Sequence, residues 1–166
     1  MTASMPNKMR VADEVWLVVA SLHQQHADRE DFSIGEIMKQ AELRNFSEVL
    51  PLRSSLKMHA YLHCVANKAP NPGRYRMLFE TKPGYRRLFR PRDVYHPDRK
   101  GGKVEPRRQE IPQAFHGLLE WYEKEFAHAE ADSSQDPLTS LRGLGREIWA
   151  SEDADEYVST LRAGWK

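Results

Sequence analysis

The chain holds a single cysteine, Cys64, which excludes an internal disulfide and makes a reducing cytoplasm the expected location. It has no run of about 18 apolar residues, so a transmembrane helix is excluded and no membrane partner is expected. The opening Met1-Thr2-Ala3-Ser4-Met5-Pro6 lacks the charged and apolar regions of a signal peptide. There is no internal repeat. Enzymatic signatures are equally sparse. Gly101-Gly102-Lys103 lacks the lead and the following Ser or Thr of a phosphate-binding loop. Pro97-Asp98 and Glu105 have the outline of a nuclease carboxylate pair, but no Glu-x-Lys on a strand follows them. No nucleophile elbow or Ser-His-Asp arrangement is visible. The expectation is a non-catalytic protein without a cofactor.

What is present is sorted charge. Between Arg74 and Arg108 stand 12 basic residues against 4 acids, a balance of +8 hidden within a net charge of +1. Between Glu120 and Glu156 stand 11 acids against 3 bases, a balance of −8. Basic residues interleaved with Tyr and Phe are the expected footprint of a polyanion binder. An acidic tail suggests a basic partner or competition for the basic surface. The alternative is that both segments are simply solvated faces.

With 166 residues, 40% of them apolar and 30% charged, one ordinary core plus appendages is expected. Residues 8–26 read as a first helix, with Val11, Val15, Val18, Val19 and Leu22 at helical spacing and Trp16 flanking. Ser33 and Glu36 make a capping box that starts a second helix over 34–42. A third begins at Leu50-Pro51 and runs to about Val65, with Leu52, Leu56, His59 or His63, Leu62 and Val65 inward. Turn chemistry over 67–73 precedes two extended runs, 74–81 and 85–90. Joined by Lys82-Pro83-Gly84, they predict a β-hairpin. Residues 91–110 read as a basic irregular segment, and could instead be a strap across the next helix. Pro112 opens that fourth helix, with Phe115, Leu118, Leu119, Tyr122 and Phe126 in one stripe.

Three helices followed by a hairpin make the winged helix-turn-helix order. The third helix is then the recognition helix, offering Arg53, Ser54 and Lys57, with Tyr61 as a further candidate. The hairpin and its extension over 74–110 supply phosphate contacts from Arg74, Arg76, Lys82, Arg86, Arg87, Arg90, Arg99, Lys100 and Lys103. Residues 1–126 are assigned to this domain, 127–136 to a linker and 137–166 to a C-terminal helical tail that binds a partner. The tail is too small to own a core, so its apolar residues require another surface, either in cis or on a second protein. His59 and His63, four apart, invite a metal test. With one adjacent cysteine and only His96 near beyond it, the ligand set is incomplete and no metal is expected.

Two resemblances extend this reading. The stretches His63-Cys64-Val65-Ala66-Asn67, Pro70-Asn71-Pro72-Gly73-Arg74-Tyr75-Arg76, Leu88-Phe89-Arg90-Pro91 and His96 to Val104 make residues 13–125 similar to an uncharacterised bacterial winged-helix family. That family is associated with restriction-type nuclease fusions and small stand-alone proteins, and the resemblance implies DNA contact. In the tail, Leu141-Arg142-Gly143-Leu144-Gly145-Arg146-Glu147-Ile148-Trp149, Asp153 to Val158 and Leu161-Arg162 resemble the C-terminal segment of bacterial antitoxins of PIN-domain ribonuclease toxins. That resemblance implies that Arg142 or Arg146 enters a carboxylate-rich toxin site. Ile148, Trp149, Tyr157, Val158, Leu161 and Trp165 would then fill a groove on the toxin. Such antitoxins usually carry a β-type or ribbon-helix-helix DNA-binding domain, whereas here a winged helix stands in its place.

The expected class is α+β, mainly α: a winged helix-turn-helix domain with a C-terminal helical tail. The expected function is a bacterial DNA-binding antitoxin and autorepressor whose partners are double-stranded DNA and a PIN-domain toxin, possible also as a homodimer. The alternatives are a DNA-reading accessory of a restriction or defence system and a non-catalytic interaction adaptor.

Overall fold

The computed structural model describes residues 9–49 and 51–129. Residues 1–8, Leu50, residues 130–136 of the expected linker and the segment 137–166 expected to bind a partner lie outside the described residues. The fold is mixed α+β and mainly helical, with one small antiparallel sheet.

Helix α1, Val11–Gln25, carries Asp13 and Glu14 in its first turn, where the helix dipole favours negative charge. Every residue from Ala12 to His23 is buried. The expected one-sided stripe is therefore replaced by a helix enclosed on all faces, and its polar residues need internal partners. Glu14 accepts from Arg53 Nε at 3.0 Å and from the Ser47 hydroxyl at 2.8 Å. Asp13 pairs with Lys103 at 2.6 Å. Ser21 donates to the Val18 carbonyl at 2.7 Å and accepts from Gln40 at 3.0 Å.

A two-residue strand β1, Phe32–Ser33, leads into α2, Ile34–Arg44. The capping box forms as read. The Glu36 amide donates to the Ser33 hydroxyl at 3.2 Å, and the Ser33 amide donates to the Glu36 carboxylate at 2.9 Å. Arg29 also grips that carboxylate, and with Ser33 it pulls the Glu36 pKa down to about 2. Asn45 ends the helix in the left-handed region at φ 39°.

Helix α3, Ser55–Met58, continues directly as a π-helical turn, His59–His63. It starts four residues later than Pro51 proposed. Arg53 donates to Glu14 and to the Met9 carbonyl, tethering residues 51–54 to the start of α1 where a first helical turn was expected. Strands β2, Leu78–Lys82, and β3, Tyr85–Leu88, form the hairpin. Its turn is Pro83-Gly84, with Gly84 at φ 81°, a position that suits glycine. Both strands are shorter than the pattern implied. Residues 74–76 are drawn instead to the 100–104 segment, the Arg76 amide donating to the Lys103 carbonyl at 2.8 Å. β1 pairs antiparallel with β3, giving the order β1-β3-β2. The outer edge of β2 is closed by the Asn67 side chain, which exchanges two 2.9 Å bonds with the Glu80 backbone.

Residues 91–110 are structured, with 3₁₀ turns at Pro97–Arg99 and Arg108–Glu110. A third such turn, Gln113–Phe115, enters helix α4, His116–Trp121, which relaxes into a π-helical turn, Tyr122–Phe126. Leu118, Leu119, Tyr122 and Phe126 are buried as their spacing indicated. Tyr122 meets Trp16 edge to face, with centroids 5.4 Å apart.

Two outcomes follow for stability. His23 is buried against Phe32 and Phe126, and its Nε2 accepts the Leu88 amide at 3.3 Å. Burial, reinforced by the charges of Arg90 and Arg87, lowers its pKa from 6.5 to about 3. The neutral ring therefore contributes stability that is complete above pH 6.5 and is lost as pH falls toward 3. The loss approaches about 1.4 kcal/mol per pH unit. Urea titrations between about pH 7 and about pH 5 should show this slope reduced by close to one proton in His23→Gln. The second outcome concerns Gly102, where a Cβ would sit 1.6 Å from the Arg74 carbonyl oxygen. Gly102→Ala is expected to cost about 2–4 kcal/mol. Gly101→Ala, strained at φ 77° but open, should cost about 1 kcal/mol. Chemical denaturation of the two variants tests the order.

Candidate nucleic-acid interface

The sequence assigned twelve side chains of the domain to DNA contact, and the structure divides them into two groups. Arg86 is wholly buried. It donates to the carbonyls of Ala60 and Tyr61 at 3.1 and 3.0 Å and pairs with Glu80 at 2.6 Å. Arg87 is buried in a two-point pair with Asp93, at 2.6 and 2.7 Å. Lys103 is held between Asp13 and Glu110. Arg53 is tied to Glu14. Arg76 lies over the Tyr95 ring at 4.3 Å and donates to the Gly102 carbonyl at 3.2 Å. Arg90 lies over Phe126 at 4.4 Å.

Arg99 is the extreme case. It is wholly buried, and its guanidinium donates to six carbonyl oxygens, those of Leu62, His63, Lys68, Ala69, Gly73 and Tyr75, at 2.6–3.2 Å. Two of these are the last carbonyls of the α3 extension, where a cation complements the helix dipole. Burial lowers the Arg99 pKa, but an arginine has ample reserve to stay charged. The positions read as one basic footprint are thus largely internal fastenings. The alternation of Arg with apolar residues marks strands correctly. It cannot show that residues 91–99 fold back, bringing Asp93 to Arg87 and the Arg99 guanidinium to the carbonyls of residues 62–75.

The remaining five, Ser54, Lys57, Arg74, Lys82 and Lys100, are exposed. Ser54 and Lys57 sit at the start of α3, and Lys57 has no ion pair or hydrogen-bonding side-chain partner among the described residues. Tyr61, one turn on, is 48% exposed. Lys68, which the sequence reading passed over as part of a turn, caps the Tyr61 ring at 4.5 Å and pairs with Glu80 at 3.0 Å. Glu80 also holds Arg86, so α3 and the hairpin are locked together through this cluster. Lys82 stands at the hairpin turn, stacked on Tyr85 at 4.1 Å and 3.9 Å from Asp31. Arg74 and Lys100 line a separate cleft.

The histidine pair forms, with His59 and His63 rings 4.9 Å apart. Burial lowers the His59 pKa, while the thiol of Cys64 is enclosed and pushed well above its ordinary range. Among the described residues no group of three or more His, Cys, Asp or Glu is placed to hold a metal ion. No described helix is long and apolar enough to cross a membrane.

Arg99→Lys is expected to lose about 2–4 kcal/mol of stability, because an ammonium cannot reach six carbonyls and leaves buried acceptors unpaired. Lys100→Gln, one residue on and exposed, should change stability by less than about 0.5 kcal/mol. Thermal unfolding of the pair reads the contrast. No protein-family model, curated protein sequence or solved structure matches this chain.

Proposed function

We propose that the described residues are a winged helix-turn-helix domain that binds double-stranded DNA, and that the chain is an antitoxin and autorepressor. The observation that carries the DNA reading is topological. The order α1-β1-α2-α3-β2-β3, with β1 beside β3 in the sheet order β1-β3-β2, supports this reading because a winged helix would have the same order. In that frame α3 is the recognition helix. It presents Ser54, Lys57 and Tyr61 outward, while Lys82 tips the wing. The surface cations would neutralise phosphates and position the helix, and the α3 side chains would meet base edges.

The toxin-binding role rests on the resemblance of the tail. Arg142 or Arg146 is proposed to enter a metal-binding carboxylate site. Ile148, Trp149, Tyr157, Val158, Leu161 and Trp165 are proposed as its hydrophobic anchors. An adaptor that meets only proteins is the second reading. The specific observation in its favour is that Arg86, Arg87, Arg99 and Lys103 spend their charge internally.

Fluorescence anisotropy of a duplex carrying the chain's own promoter, titrated with the full chain over a range of salt, separates the two. Binding that weakens steeply with salt and prefers the promoter over a scrambled duplex is expected. Lys57→Gln and Lys82→Gln should each lower the log–log salt slope by about 0.9. Absence of binding at low salt would leave the adaptor.

A further inference from the structure

We infer that the cleft lined by Pro70, Pro72, Arg74, Pro97, Asp98 and Lys100 is a phosphate site, and that its ligand is a phosphodiester of a nucleic-acid strand. The cleft has a volume of about 440 Å³. Its two cations are exposed, and neither has an ion pair or side-chain hydrogen bond among the described residues. That sets them apart from the buried or paired bases beside them in sequence.

The walls are also fastened to each other. One wall is the 70–74 loop and the other the 97–100 turn. Arg99 lies between Asp98 and Lys100 and reaches across to the carbonyls of Gly73 and Tyr75 at 3.1 and 2.6 Å. Gly102 packs against the Arg74 carbonyl so closely that no side chain fits there. A buried guanidinium thus fixes the backbone that carries both exposed cations, so little backbone ordering entropy remains to be lost when an anion binds. Three prolines add rigid apolar surface against which a sugar can rest. The cleft is open to solvent and larger than a phosphate ion, which suits a phosphate whose strand continues on either side. Asp98 works against the anion. Its carboxylate lies 3.8 Å from His96 Nδ1 and is largely exposed. Removing its charge should therefore strengthen binding.

This inference deepens the DNA reading by adding a phosphate contact beyond the C-terminal end of α3. Its test has two arms, both with the full chain. In the first, inorganic phosphate is titrated at constant ionic strength against chloride, and backbone amide shifts are followed by NMR. Shifts confined to residues around Arg74 and Lys100 are expected. Affinity should fall at least about five-fold in Arg74→Gln/Lys100→Gln and rise a few-fold in Asp98→Asn. In the second arm, duplex binding is measured against salt, and the double variant should lose about 1.8 from the slope. Unmoved amides, or wild-type phosphate affinity in the double variant, would overturn the site. An unchanged slope with intact duplex binding would also overturn it, leaving the DNA reading standing. Phosphate binding without any duplex binding would assign the cleft to free phosphate and remove both the strand ligand and the DNA reading.

Discussion

The Arg99 guanidinium, saturated by six main-chain carbonyls, is the interaction on which the C-terminal half of the domain depends. It closes the end of the α3 extension, gathers the 67–75 loop and anchors the 97–104 segment in one step. Among the described residues no carboxylate pairs with it. The full positive charge is stabilised by oriented carbonyl dipoles, which are worth most where water is excluded. A loop rich in Pro and Gly would otherwise leave buried carbonyls unpaired. Here those carbonyls become the ligands of a cation, and an irregular segment becomes rigid.

Helix α1 shows the same economy with the signs reversed. Its two buried acids, Asp13 and Glu14, take cations from distant parts of the chain, Lys103 and Arg53. Each pair bridges a long sequence separation, so breaking one would strand a buried charge, at a cost of about 3–5 kcal/mol. Such pairs add little net stability compared with apolar packing. They do discriminate against wrong arrangements of the 51–54 and 103–110 segments around α1, since any other register leaves an acid without its partner.

For function, the consequence is a division of labour among like residues. Arginines and lysines that look equivalent in a list of charges either fasten the fold or face solvent, and only the second group is available to a polyanion. The exposed members of the twelve lie at the start of α3, at the hairpin turn and along the Arg74–Lys100 cleft. The Lys68–Tyr61–Glu80–Arg86 cluster fixes α3 relative to the hairpin. Surfaces on those two elements are therefore held in a fixed relation to each other.

Local chemistry determined most of the elements from the sequence by itself. The Ser33–Glu36 box set the start of α2, Pro83-Gly84 set the hairpin turn, and the apolar spacing of α4 selected its buried face. These depend on neighbours within a few residues, so they are legible in one dimension. Tertiary structure alone decided the late start of α3, the short strand β1, the enclosure of α1 and the fate of each basic side chain. Those outcomes turn on partners tens of residues away. Glu14 reaches Arg53, Asp13 reaches Lys103, and Arg99 reaches the carbonyls at 62–75. A charge in a sequence carries no mark of whether water or a carbonyl will surround it; only the folded chain supplies that environment.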